Sequence, residues 1–250
     1  MARKEPVAGA SAKAIYADLR KGWLRRTRRY FLVLAAILIV AVGLVTWLAV
    51  VQGTFVGWWI AGMGFGVALA AWVLLRDSPP PAIENWLLGS WGEEATGKAL
   101  RRLPSEWQVR HDIDTGAGNI DHLVVGPGGV FVVETKKWSG VVRVEEHTAY
   151  VRMPGRTRAD VRERAGQQVR RLARSTHDRV RAATRISLFV VPVVVVWGDF
   201  EQRVVGDAPA FVAGDALVEW LTNRPVTIAE ARLSQIIAAV DAAWPREGRG

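Results

Sequence analysis

Asp121, Glu134 and Lys136 are three charges in a stretch that is otherwise built like a buried hairpin, GNIDHLVVGPGGVFVVETKKWSG over residues 118–140. Two apolar runs flank the turn GPGG, and a turn centred there pairs residues whose numbers sum to 255, which sets Asp121 directly across from Glu134. Opposed residues of an antiparallel pair lie about 5 Å apart at Cβ, where like charges repel. Side chains alternate along a strand, so Glu134 and Lys136 share a face and Thr135 points away. Two carboxylates and an ammonium therefore converge. The carboxylate oxygens, with a backbone carbonyl, suit Mg²⁺, with Mn²⁺ as an alternative, beside a phosphate. The competing reading is structural, with Lys136 neutralising Glu134 and Asp121 capping the turn after Gly118.

The elements that must position these residues follow from the flanking pattern. Residues 83–103 repeat apolar positions at helical spacing, and Pro104 closes the run. WQVRHDI at 107–113 alternates like a strand, the stretch above supplies two more, and VVRVEEH with TAYVRM forms a second hairpin. Residues 158–184 read as an Arg-rich helix packed through Val161, Ala165, Val169, Leu172 and Val180. The continuous run ISLFVVPVVVVW at 186–197 reads as a central strand covered on both faces, with Pro192 at a ladder gap. A short hairpin around 206–209 and helices at 214–222 and 227–243 complete an α/β domain with a mixed sheet, placed at 83–244.

Ahead of that domain, residues 31–51 and 55–75 carry no charge, and each approaches the ~20 apolar residues that cross a bilayer. Only Gln52, Gly53 and Thr54 separate them, which predicts a two-helix membrane hairpin over 30–76. Gly62 and Gly66 would let its helices approach closely. Arg20, Lys21, Arg25, Arg26, Arg28 and Arg29 precede the first span and Arg76 follows the second. Basic flanks on one side only predict that both termini and the α/β domain are cytoplasmic at the cell membrane. Residues 1–29 read as a basic tail or interfacial helix, 77–82 as a proline-rich extended spacer, and 245–250 as a tail.

The absence of cysteine rules out disulfides and thiolate metal sites in this sequence of 250 residues. The net charge of +9 is concentrated before the membrane segment and in the Arg-rich stretch 152–185, where nucleic-acid phosphates or anionic lipid are the two partners chemistry allows. His122 follows Asp121 and so faces the other side of the sheet, in a buried structural role. His111, His147 and His177 lack metal-ligand spacing and read as surface or strand-end residues. The tryptophans of the α/β domain read as core, with Trp138 the exception because it lies just past the charged residues.

GSWGEEATGKAL at 89–100, followed by the 118–140 stretch, resembles the nuclease-related domain (NERD) family, a branch of the PD-(D/E)xK nuclease superfamily. The resemblance is strongest over Gly89 to Gly140, weaker from Gln168 to Trp197, and absent over the membrane segment. Ile120 stands where the superfamily's name places a proline. The resemblance implies a restriction-endonuclease-like core and a Mg²⁺-dependent phosphodiesterase acting on nucleic acid, DNA first, with low sequence specificity. It further implies that Asp121, Glu134 and the Thr135 carbonyl hold the metal, and that Lys136 orients or deprotonates the attacking water. Glu93 would be the acid of the first helix, and Gln168, or Gln167, the glutamine that positions DNA or Lys136. Beside this site Arg162, Arg170, Arg171 and Arg174 would bind the phosphate backbone. The alternatives are a non-catalytic nucleic-acid- or partner-binding module of the same fold and a membrane scaffold.

Overall fold

The computed structural model describes residues 8–52, 55–78, 80–115 and 118–245. The chain forms two compact units, one of Leu88–Gly250 together with the segment up to Ala12, the other of Lys13–Leu87.

The second unit holds α1 (Ala10–Gln52) from Lys13 onward and α2 (Phe55–Asp77). Helix α1 is long and apolar enough to cross a membrane. Its apolar side chains face outward, with Ile39 71% and Val40 70% exposed, which a soluble core helix would not tolerate. The basic segment expected as a separate piece over 1–29 is continuous with this helix from Ala10 on, because no proline interrupts the sequence there. The second expected span lies within α2, which runs for 23 residues, and Gly62–Leu74 is the part of its apolar stretch that falls among the described residues. Gly62 and Gly66 border open space rather than a neighbouring helix. The expected turn at Gly53 and Thr54 and the tail at 246–250 lie outside the described residues.

Helix α3 (Pro81–Leu100) begins inside the proline run and shortens the expected spacer. Proline suits a first helical position because no N–H is needed there, and the Pro80 carbonyl accepts from the N–H groups of Ile83 and Glu84. Next come β1 (Gln108–Asp114), β2 (Asn119–Gly126), β3 (Gly129–Glu145), β4 (Thr148–Arg152) and β5 (Asp160–Arg162). They are followed by α4 (Glu163–Thr184), β6 (Val190–Asp199), β7 (Val204–Val205), β8 (Ala210–Ala213), α5 (Leu217–Thr222) and α6 (Glu230–Ala243).

The sheet runs β1-β2-β3-β6-β8-β7, with β4 on the far part of β3 and β5 beside β4. It is mixed, since β3, β6 and β8 are parallel and the other pairs antiparallel. Central β6 is buried from Val190 to Val196, each such side chain contributing about 1.5–3 kcal/mol of apolar burial. Pro192 sits one residue before the β6–β8 ladder starts at Val193, so its missing N–H costs no bond to β8. Helix α4 covers one face and α3 the other, where Gly92 permits close approach to Thr135 and Lys137. Val161, expected on the packed face of the Arg-rich helix, instead lies in β5 and is 53% exposed, because residues 160–162 pair with β4 before the helix begins.

Candidate active site

The hairpin register keeps the sum of 255 from Gly126↔Gly129 to His122↔Val133. One step further the ladder gives way: the N–H of Thr135 donates to Asp121 Oδ2 at 2.7 Å. The β1–β2 pairs are regular on both sides of Asp112, yet Asp112, which faces Asp121 in that register, makes no ladder pair and has a φ of 53°. Few side chains other than Asn, Asp and Gly tolerate that left-handed conformation. The acids thus gather where β1, β2 and β3 lose regular pairing.

Glu134 is 3% exposed. Its Oε1 accepts from Lys136 Nζ at 2.8 Å and from Gln168 Nε2 of α4 at 2.7 Å. Its Oε2 is buried without a hydrogen-bond partner. Burial costs such an atom dearly unless something positive or donating meets it. Thr135 points away, as alternation requires, and its hydroxyl donates to Thr96 Oγ1 at 2.9 Å. Thr96 also accepts from Trp197 Nε1 and donates to the Gly92 carbonyl, so that hydroxyl is fully used and ties β3 and β6 to α3.

The electrostatics follow from crowding. Burial, then Glu134 and Glu93, hold the Asp121 carboxyl well above the usual range, against the pull of the Thr135 N–H and Lys136. Burial, then Asp112 and Glu134, push Glu93 up to about 7. Burial opposes the charge on Lys136, but Glu134, Asp121 and Glu93 outweigh it and raise its pKa, so the ammonium stays protonated. Burial and then His111 lower His122 to about 3, leaving it neutral and outside acid–base chemistry at working pH.

The structure brings Asp121, Glu134, Lys136 and Gln168 together and sets Glu93 beside them. Gln168 makes the contact, while Gln167 is exposed. Among the described residues no three His, Asp or Glu side chains form a ready-made metal cage. A metal here would rest on the two carboxylates and a backbone oxygen such as that of Thr135. The donor set fits: hard oxygen ligands, one of them the orphaned Glu134 Oε2.

The arginines divide. At about 100° per residue along α4, Arg171 lies on the Gln168 side, together with Arg164. Arg170 and Arg174 lie further round, and Arg170 donates to the Ala208 carbonyl at the opposite edge. Arg162 is an exposed β5 residue paired with Asp160 at 3.2 Å. Trp138 packs against the core instead of standing free by the site. Trp91 is 48% accessible, with Lys137 Nζ 5.5 Å from its ring centre. His111, expected at the surface or a strand end, stands mid-strand with its Nδ1 2.7 Å from that of buried His122. Sequence reasoning missed Asp112. Its one signal is the break in β1 pairing, which only the folded register reveals.

The acid–acid–lysine cluster thus sits where strands part in a mixed α/β sheet flanked by helices. A domain of the family described as NERD: Nuclease-related domain is found at residues 88–197, which contain Glu93, Asp121, Glu134, Lys136 and Gln168. No curated protein and no solved structure matches the chain.

Proposed function

We propose that this nuclease-related domain is a Mg²⁺-dependent phosphodiesterase cutting nucleic acid, DNA first, with low sequence specificity. The observation that carries the reading is the divided Glu134 carboxylate: one oxygen is pinned by Lys136 and Gln168, the other is buried and free for a cation. A bound divalent ion, Mg²⁺ or Mn²⁺, would lower the pKa of attacking water and offset the charge that develops on the phosphate. Asp121, Glu134 and the Thr135 carbonyl would hold it, with Glu93 close enough to assist.

The chain's own groups do the rest. Lys136 stays protonated, so it stabilises anionic phosphate oxygens and orients water rather than removing a proton. Gln168 keeps Glu134 from rotating. Arg171 and Arg164 flank this edge of α4 and suit the sugar–phosphate backbone, which carries no sequence information. The domain works at the cytoplasmic face of a membrane, anchored by α1 and by a second span over 55–75, with both termini inside.

The test uses the full chain in detergent or lipid nanodiscs on single- and double-stranded DNA and RNA. Cleavage that needs Mg²⁺ and is abolished by Asp121→Asn, Glu134→Gln and Lys136→Met, with nucleic-acid binding retained, supports the reading. The second reading is a binding module that does not cut, which the arginine-rich helix α4 would serve without any metal. Metal-independent binding without cleavage would select it.

A further inference from the structure

We infer that the segment Ala8–Ala12, at the start of α1, is a working part of this site: it clamps Glu93 and Asp112 and holds Glu93 in position. The inference rests on the nuclease reading and adds to it a positioning element that lies outside residues 88–197.

The backbone N–H of Gly9 hydrogen-bonds the Glu93 carboxylate. Two residues on, the N–H of Ser11 donates to Asp112 Oδ2 at 3.2 Å, while Asn119 Nδ2 holds Asp112 Oδ1 at 2.7 Å. First-turn N–H groups of a helix have no partners within it, and the positive end of the helix dipole favours anions. Glu93 and Asp112 therefore cap α1 from another part of the chain. The benefit is mutual, because Asp112 and Glu134 crowd Glu93, and the Gly9 N–H joins Lys136 in offsetting that charge.

The fit is close and specific to small residues. Ala8 and Ala12 are buried at 6% and 4% exposure. Gly9 has a φ of +76°, and a Cβ there would meet the Ser90 carbonyl oxygen at 2.8 Å. A Cβ on Gly97 of α3 would meet Ala8 Cβ at 2.6 Å, yet would make only ordinary contacts with His111 and His122 at 3.7 and 3.8 Å. The segment AGASA at 8–12 is thus seated by shape as well as by two hydrogen bonds.

A size exchange tests this on the full chain in nanodiscs, read by amide hydrogen exchange over residues 8–12 and by steady-state cleavage. Gly97→Ala should speed exchange there and lower kcat about tenfold or more, as displacement of a catalytic group by a fraction of an ångström does, with KM changed by less than about twofold. Ala8→Gly added to Gly97→Ala removes the clashing methyl and should restore both readings. Gly9→Val, which acts from the other side of the contact and leaves α3 intact, should repeat the loss. Faster exchange with unchanged kcat in both single variants, or a double variant that regains protection but not kcat, overturns the inference. A wild-type chain that protects residues 8–12 yet cuts no nucleic acid overturns the nuclease reading and, with it, the catalytic role given to this segment.

Discussion

Gln168 Nε2 donates to Glu134 Oε1 at 2.7 Å, so helix α4 fixes one oxygen of a carboxylate whose other oxygen lies buried without a partner. A hydrogen bond to a charged group contributes about 1.5–3 kcal/mol. Gln168→Ala should lower cleavage by about tenfold or more while leaving nucleic-acid affinity unchanged, as separate kinetic and binding titrations will show. Gln168→Glu should be worse in both activity and melting temperature, because it sets a second carboxylate against Glu134 in a buried site.

Stability without metal should fall as pH rises. The folded chain binds protons on Asp121 and Glu93 more tightly than the unfolded chain, since both pKa values are raised, Glu93 from 4.5 to about 7. Stability is therefore lost as pH climbs from the unfolded value through the folded one, about 4.5 to 7 for Glu93. Melts in EDTA should show a lower Tm at pH 8 than at pH 5. Added Mg²⁺ should raise Tm more at pH 8, where the carboxylates are free to bind it. Equal metal shifts at both pH values would contradict this charge arrangement.

Thr96→Val should destabilise the domain by about 1–3 kcal/mol, measured by chemical denaturation. The substitution keeps the volume but orphans Trp197 Nε1 and the Thr135 hydroxyl, which both bond Thr96 Oγ1. Thr135 lies between Glu134 and Lys136, so cleavage should fall as well.

Arg171→Ala should weaken nucleic-acid binding and reduce the salt slope of log K by about 1. Arg170→Ala should change both much less and cost stability instead, because Arg170 is engaged with the Ala208 carbonyl at 3.2–3.3 Å. Binding titrations over a salt series distinguish the two.

Several features were legible from the residue order because they depend on local periodicity. The GPGG turn sets the register that brings Asp121 to Glu134, and strand alternation sends Lys136 to the same face and Thr135 and His122 to the other. Apolar length alone marked α1 as a candidate membrane span. Boundaries were less legible. Residues 160–162 look helical by their apolar spacing, but a free edge of β4 recruits them into the sheet before α4 begins. The proline run reads as an extended spacer, yet Pro81 begins α3, since a prolyl residue is as good a helix start as a breaker.

By itself, then, the sequence determined the charged trio, the strand faces that gather it and the apolar helix ahead of the domain, because each is written in spacings of a few residues. Only the tertiary structure decided which partners complete the site. Gln168 rather than Gln167 reaches Glu134, Asp112 breaks its ladder opposite Asp121, and Gly9 and Ser11 close on Glu93 and Asp112. Those contacts join residues far apart in the chain, where the packing of α3, α4 and the first turn of α1 on one sheet sets the distances, and no local pattern records them.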